Sequence, residues 1–297
     1  MNYKIIIRSQ QLRFAILRFF SWVPDSIMLR IQYRIKLSRW PNLKHPRRFT
    51  EKLQLYKMKY RNPVMHQCVD KYEVRKYVEN KGLAHILNDL YDIYDTPEEM
   101  DFGSFPNQFV VKTTGGSGGQ NVIIVKDKES CDLDVLREKL RCWNGANNLG
   151  AISGREWAYY TCKPRIVVER LLEESHAKGD SLTDYKFFCF NGIPQFVQVD
   201  TGRFDNHRQN YYDMQWHSLG VHCTYPEGKD IRQPQNFDDM KRYAAHLSED
   251  FPFVRVDLYN IAGRIFFGEL TFFPSSGYGK FHPDEFDFTL GSLFTAY

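Results

Sequence analysis

Six side chains stand out for the chemistry they could do together: Lys112, Asp184, Lys186, Arg255, Asp257 and Glu269. Lys112 sits at the end of a β-branched run, Phe109-Val-Val-Lys-Thr-Thr, and Gly115-Gly-Ser-Gly-Gly119 follows it. Glycines leave backbone N–H groups free to face an anion, and an ammonium at the end of a strand can reach a phosphate. The lysine precedes the glycines, whereas in a P-loop it follows them and opens a helix. The stretch therefore reads as strand, turn, strand: either a plain glycine-rich hairpin or a phosphate-facing one. Asp184 and Lys186 are two apart in a second hairpin, Asp184 to Val199, whose turn is Asn191-Gly192. Period two puts them on one face, as an ion pair or as part of a site.

Arg255, Asp257 and Glu269 belong to a third hairpin, Phe253–Tyr259 and Arg264–Thr271. A three-residue loop, Ile261 to Gly263, pairs Asn260 with Arg264 and sets Arg255 opposite Glu269, with Asp257 diagonal to it. A two- or four-residue loop would put the two carboxylates on opposite faces. Two carboxylates and an arginine on a shared face are costly to bury unless a cation and an anion complete the set. Magnesium takes one or two carboxylates plus substrate phosphates, and arginine suits bidentate contact with phosphate. The competing pattern is an exposed salt-bridge ladder. Val254, Val256, Leu258, Phe266 and Leu270 between the charges speak for a sheet with a buried opposite face.

The elements that must carry these groups follow from periodicity and punctuation. Residues 1–60 read mostly as helix, with starts near Asp25 and Thr50 and breaks at Pro24, Pro41 and Pro46. Residues 68–81 have helical order. Asp70 with Glu73 forms a capping box there, which leaves Lys71 at the helix N-terminus, where an anion would suit it. Leu87–Tyr94 reads as a strand and Pro97–Glu99 as a helical turn. Asp132–Trp143 is an amphipathic helix whose Asp132 and Asp134 are better caps than a DxD metal pair. Asn144–Gly154 and Ser175–Ser181 read as loops, and Arg165–Glu174 as a strand leading into acid. Arg203, His207 and Arg208 share a polar segment that is either plain surface or a carboxylate holder. Phe237–Ser248 is helical. Ser275, Ser276 and Gly277 follow the last strand and offer hydroxyls and amides to a substrate. The domain reading is a basic helical region at 1–65, first-lobe elements at 66–105, a small lobe with the glycine loop at 106–170 and a large lobe with the acidic hairpin at 171–297.

The 297 residues suffice for two or three lobes, and the aromatic content of 15% argues against disorder. No uncharged apolar run approaches the ~20 residues of a membrane span. Arg8, Arg13 and Arg18 break the N-terminal apolar patches, so they make no convincing signal peptide. The six cysteines show neither CxxC nor zinc spacing, which fits a reduced, cytoplasmic setting. The net charge of +4 hides an asymmetry: residues 1–60 carry +12 and the rest −8. A basic piece on an acidic body suggests an anionic partner, either acidic lipid or a polyanionic glycan. No DNA or RNA motif supports nucleic acid.

Asp70-Lys71-Tyr, Val111-Lys112-Thr-Thr-Gly-Gly-Ser-Gly-Gly, Asp184-Tyr-Lys-Phe-Phe-Cys-Phe-Asn-Gly, Arg255-Val-Asp-Leu-Tyr and Phe267-Gly-Glu-Leu-Thr-Phe-Phe-Pro together resemble the TupA-like ATP-grasp proteins of polysaccharide gene clusters. The likeness runs from about residue 40 to the C-terminus. It implies an α+β ATP-grasp fold with nucleotide between two lobes, here with a basic helical N-terminal extension where relatives have a βαβ domain. It implies ATP and Mg2+ as cofactors. Lys71, Lys112 and Lys186 would meet phosphates, with the backbone of Ser117 and Gly118 closing over them. Glu169 and Leu171 would meet the adenine and Asp184 the ribose, while Asp257 and Glu269 would hold magnesium. Arg255 would stabilise the reacting acyl phosphate. Many relatives carry asparagine two residues after the metal glutamate; here it is Thr271. The implied activity is ADP-forming carboxylate–amine ligation in surface-polysaccharide synthesis, joining an amine such as an amino acid to a uronic acid or glutamate-type carboxylate. Arg203, His207, Ser275, Ser276 and Gly277 are the substrate candidates, and the basic region would sit at the inner membrane face. A sugar kinase or a nucleotide-sugar glycosyltransferase is the alternative.

Overall fold

The computed structural model describes residues 10–115, 121–145, 149–173, 182–203 and 205–297. In chain order they form α1 (Gln10–Phe19), α2 (Asp25–Leu37), α3 (Phe49–Lys59), α4 (Val64–Val69), α5 (Val74–Asn80), β1 (Leu90–Tyr94), β2 (Phe109–Thr113), β3 (Val122–Val125), α6 (Leu133–Gly145), α7 (Leu149–Ser153) and β4 (Ile166–Arg170). Then come β5 (Asp184–Phe190), β6 (Ile193–Thr201), β7 (Arg208–Asp213), α8 (Phe237–Ser248), β8 (Phe253–Ile261), β9 (Arg264–Thr271) and α9 (Glu285–Leu293). The chain divides into two compact units. One takes the described residues up to Arg61, residues 153–156 and those from 182 onward; the other takes the rest. Among the described residues, no helix is long and apolar enough to cross a membrane.

The larger unit is built on an antiparallel sheet ordered β7-β6-β5-β8-β9. Alternation along its strands gives one apolar face, with Phe187, Val197, Val256 and Leu258 fully buried. Helix α8 packs against β5, β6 and β8 on the buried side chains of Phe237, Met240, Ala244 and Leu247, and Phe237 stacks on Phe187. At one end of the sheet Phe49 of α3 meets Phe253, with ring centroids 4.9 Å apart, and both meet Phe294 after α9. Helix α3 is a core helix, buried from Phe49 to Lys57. Its start is fixed by Glu51, whose carboxylate accepts from the backbone N–H groups of Asn42, Arg47 and Arg48 at 2.8–3.1 Å. Asp287 of α9 accepts from the N–H and hydroxyl of Thr50 and pairs with Arg39 and Arg48. The N-terminal helical region is thus part of this unit's body.

The smaller unit carries a four-stranded antiparallel sheet ordered β1-β4-β2-β3. Phe109, Val111, Val125, Ile166 and Val168 form its core with Leu136 and Leu140 of α6. Asp132 caps α6, its carboxylate accepting from the N–H groups of Asp134 and Val135 at 3.1 and 3.0 Å, so Asp132 serves as the expected cap.

Four expectations need correction. The helix expected at 68–81 is two helices, because Asp70 turns the chain by accepting from the N–H groups of Tyr72 and Glu73. Lys71 lies in that turn, before α5. The strand expected from Leu87 starts at Leu90, after a short 3-10 turn at Ala84–Ile86. The expected loop at Asn144–Gly154 contains α7, and the polar segment from Arg203 to Asn210 already holds the start of β7. The expected loop Ser175–Ser181, and Ser117 and Gly118, lie outside the described residues.

Candidate active site

The two units each carry one cluster of the charged residues singled out above. In the smaller unit Lys112 of β2 and Glu169 of β4 share a sheet face, and their side chains meet at 2.7 Å. Arg75 of α5 approaches the other carboxylate oxygen at 3.7 Å. Burial works against the Glu169 charge, but Lys112 and Arg75 outweigh it and hold the carboxyl below its ordinary range. Lys71 is tied to the end of the same strand: its N–H and its ammonium both donate to the Thr114 carbonyl, at 3.2 and 3.5 Å. Thr114 in turn donates from its hydroxyl to the Lys163 carbonyl. Lys71 and Lys112 therefore both stand where the chain leaves β2 for the glycine-rich stretch. Leu171, directly after β4, is half-buried.

The larger unit brings together the other candidates on the face of its sheet opposite α8. The register sets Asp184 across from Asp200 and Tyr259, and Lys186 across from Gln198 and Asp257. The Lys186 ammonium donates to both Asp184 and Asp257, the latter at 2.8 Å. All three side chains are nearly fully buried. Arg255 grips Asp257 through Nε and Nη2, both at 2.7 Å, and reaches Glu269 at 3.4 Å. The Thr271 hydroxyl accepts from Arg255 at 3.0 Å and donates to Glu269 at 2.9 Å, tying the two together. Burial, then the charge of Asp257, pushes Asp184 up to about 6, although Lys186 pulls the other way. Burial disfavours the Lys186 and Arg255 cations too, but the carboxylates around them more than offset it and raise both.

Asp257 and Glu269 meet by a different route from the one the sequence suggested. The loop has two residues, Ala262 and Gly263, both left-handed at φ 49° and 82°, and Ile261 pairs with Arg264. That register alone would put the carboxylates on opposite faces. A β-bulge between Leu258 and Asp257 inserts one extra residue, Gly268, into β9 and restores them. Asp257 lies directly opposite Glu269 rather than diagonal to it, and Arg255 lies opposite Thr271. Glycine is needed there because a Cβ would stand 2.9 Å from the Asp257 carbonyl oxygen.

Arg203 approaches Asp184 at 3.5 Å, and His207 approaches Asp200 at 3.5 Å while its ring stacks on Tyr225. Burial would raise Asp200, yet His207, Lys186 and Gln198 hold it low. Ser275, Ser276 and Gly277 form a 3-10 turn in which all three are left-handed. Two such non-glycine residues cost ~1–2 kcal/mol each, so the turn must be held from outside. Lys57 of α3 does this, donating to the Ser276 carbonyl at 2.7 Å, the Ser276 hydroxyl at 3.2 Å and the Gly154 carbonyl at 3.0 Å. The buried Glu156 lies beside it.

Asp200, Lys57 and Glu156 were not singled out from the sequence. Asp200 was findable, since it continues the period-two row from Gln198 along β6. Lys57 carries a fainter signal, four residues after Leu53 on a helix. Glu156 carries none.

The donor set fits magnesium. Asp257 and Glu269 are hard oxygen ligands set face to face, and the second oxygen of Asp184 is buried without a hydrogen-bond partner among the described residues. Among the described residues no cluster of three or more His, Cys, Asp or Glu forms a cage by itself. An ion here would take one or two carboxylates and complete its shell from phosphate and water, which is how magnesium is commonly held.

The family model of the TupA-like ATP-grasp proteins matches residues 51–295, most of the chain. This chain belongs to the TupA-like ATP-grasp family. The α+β architecture with its two antiparallel sheets is the one expected for this ATP-grasp member. Among solved structures it is similar to a D-alanine–D-alanine ligase from Bacillus anthracis, at 17% identity over 69% of this chain and 57% of that one, with a TM-score of 0.43. It is similar to an L-amino acid ligase from Bacillus licheniformis at 13% identity, over 83% of this chain and 55% of that one, with a TM-score of 0.47. The chain thus spans a little over half the length of these two. A comparison with curated proteins finds no match.

Proposed function

We propose that this ATP-grasp chain is an ADP-forming carboxylate–amine ligase of surface-polysaccharide synthesis. The observation that carries the reading is the row of Asp184, Lys186, Asp257, Arg255 and Glu269, buried at Asp184, Lys186 and Asp257 and opening to solvent at Glu269, in a chain of this family. A free carboxylate is a poor electrophile, so ATP supplies the leaving group: the substrate carboxylate attacks the γ-phosphate, giving an acyl phosphate and ADP. An amine then displaces phosphate and forms the amide. The chain's part is to position groups and screen charge.

In this reading Lys71 and Lys112 bind phosphates, and the backbone of Ser117 and Gly118 closes over them. Glu169 and Leu171 border the adenine, Asp184 the ribose, and Lys186 the phosphate chain. Asp257 and Glu269 hold magnesium, which when bound offsets the charge of the phosphate oxygens. Arg255 stabilises the charge that develops on the acyl phosphate. Arg203, His207 and the turn of Ser275, Ser276 and Gly277 orient the acid and the amine. The acid is a uronic acid or glutamate-type carboxylate on an anionic glycan, the amine is an amino acid, and the enzyme acts in the cytoplasm at the inner membrane face.

The test is ADP release with pooled sugar acids and amino acids, followed by product mass. An amide formed only when acid, amine and ATP are all present supports the reading. A phosphorylated sugar made without any amine would replace it with a kinase. Transfer from a nucleotide sugar would replace it with a glycosyltransferase.

A further inference from the structure

The larger unit has an apolar surface with no use in the chemistry above. Eight of the fourteen large hydrophobic side chains exposed among the described residues lie between Leu12 and Trp40, so the exposure is concentrated in the N-terminal helices. Helix α2 shows the pattern most clearly. Met28, Leu29, Gln32, Tyr33 and Leu37 face the core. Ile27, Ile31 and Ile35, at i, i+4 and i+8, form a second apolar ridge on the solvent side. Arg30 and Arg34 lie beside that ridge and are exposed with it. Trp22, just before the helix, is 75% exposed. A helix already buried on one side has no need of an isoleucine ridge on the other unless something covers it.

The surface is held ready, because the helix is pinned from behind. Arg155 donates to the carbonyls of Phe20 and Ser21 and pairs with Asp25 at 3.1 Å. Gln32 donates to the Ser153 carbonyl and accepts from the Tyr278 hydroxyl, both at 2.8 Å. Asp25 is also the single acidic residue before Glu51 in the sequence, and Arg155 neutralises it. Residues 1–60 carry a net +12 against −8 for the rest. A second copy of the same ridge is a poor occupant, since an isologous contact sets arginine rows against each other. An anionic bilayer surface is a good one. Isoleucines enter the acyl boundary, arginine stems lie along it with their heads at the phosphates, and tryptophan belongs at that depth.

We propose that the outward ridge of α2, with Trp22 and the flanking arginines, docks this chain on the anionic face of a lipid bilayer. The proposal deepens the membrane-face part of the function above and rests on that part alone, independent of which reaction is catalysed. The test is flotation of the full chain with vesicles of phosphatidylcholine alone or with about a third phosphatidylglycerol. Binding is expected to the anionic vesicles, weakened by salt. Ile31→Asp, and separately Arg30→Glu with Arg34→Glu, should each lower it at least tenfold with the unfolding midpoint unchanged. ATP hydrolysis without vesicles reports on the enzyme separately, so loss of one property leaves the other readable. Absence of binding to anionic vesicles, equal binding by the variants, or a wild-type dimer that the substitutions dissociate would each overturn the proposal.

Discussion

Replacing Lys186 by methionine tests the electrostatics of the buried row. The change keeps the length of the side chain and removes the one ammonium that Asp184 and Asp257 share. Asp257 keeps its two bonds from Arg255, so the carboxylate left short is Asp184, which among the described residues keeps Arg203 at 3.5 Å. Removing one partner of a buried charge set costs ~3–5 kcal/mol. The cost must depend on pH. Asp184 already stands at about 6, above its ordinary 3.8, because of burial and Asp257. An acid raised on folding is fully favourable below its unfolded value and loses stability as pH rises to its folded value. In the wild type that loss is ~3 kcal/mol for a shift of ~2 units, at ~1.4 kcal/mol per unit. In the variant the folded value moves higher still, and the loss continues above pH 6. Urea unfolding should therefore show Lys186→Met weaker by ~1 kcal/mol near pH 5, where Asp184 is protonated in both proteins, and by ~3–5 kcal/mol near pH 8. Adding Asp184→Asn should remove most of the difference between the two pH values. An equal loss at both, or a loss at pH 8 below ~1 kcal/mol, would refute the reasoning.

Three further outcomes follow from the same geometry. Lys112→Ala should raise the KM for ATP tenfold or more, the weight of one charge-assisted bond of ~1.5–3 kcal/mol, while Arg75 keeps Glu169 from being stranded; nucleotide titration and an unfolding curve separate the effects. Gly268→Ala places a Cβ 2.9 Å from the Asp257 carbonyl and should lower kcat at least tenfold. Gly263→Ala, at φ 82° with open space around it, should lower the unfolding midpoint and leave kcat alone. Burial lowers the Lys57 ammonium to about 7, so the folded chain is favoured above the ordinary value of 10.5 and loses stability as pH falls towards 7; in urea unfolding across that window, Lys57→Met should show a smaller fall than the wild type.

Much of this was legible in the sequence because it depends on local pattern. Period two alone puts Asp184 beside Lys186 and Arg255 beside Asp257, and the glycine after Asn191 marks a turn whose two residues are left-handed. What crosses from strand to strand was not legible to the same degree. The β5–β6 and β8–β9 hairpins close on two-residue turns, and both then shift register at a bulge, between Phe188 and Cys189 in one and between Asp257 and Leu258 in the other. Counting outward from the turn fails by one residue in each case, and one residue is the difference between a shared face and opposite faces. Gly268 was visible as a glycine inside a strand, which is a bulge signal. Lys57 was hidden for another reason. Helix α3 is buried around most of its circumference, so its lysines look like solvent positions until their carbonyl partners are known.

The same row explains why its charges are arranged as they are. Asp184, Asp200, Asp257 and Glu269 face Lys186, Arg255 and Arg203, so the face comes within one charge of balance on these residues. Such balance is what lets so many ionised groups sit in a buried row. It also sets a condition on the proposed chemistry. Both oxygens of Asp257 are engaged, one by Arg255 and the other by Arg255 and Lys186. Arg255 can turn towards a phosphoryl oxygen only if another cation takes its place at Asp257, and a cation can take that place only if an anion accepts the displaced guanidinium. Neither exchange is favourable by itself, because each leaves one buried charge uncompensated; together they leave the charge balance of the row unchanged. Thr271, bonded to both Arg255 and Glu269, joins the two halves of that exchange. A hydroxyl suits this position because it accepts from the guanidinium and donates to the carboxylate with the same oxygen.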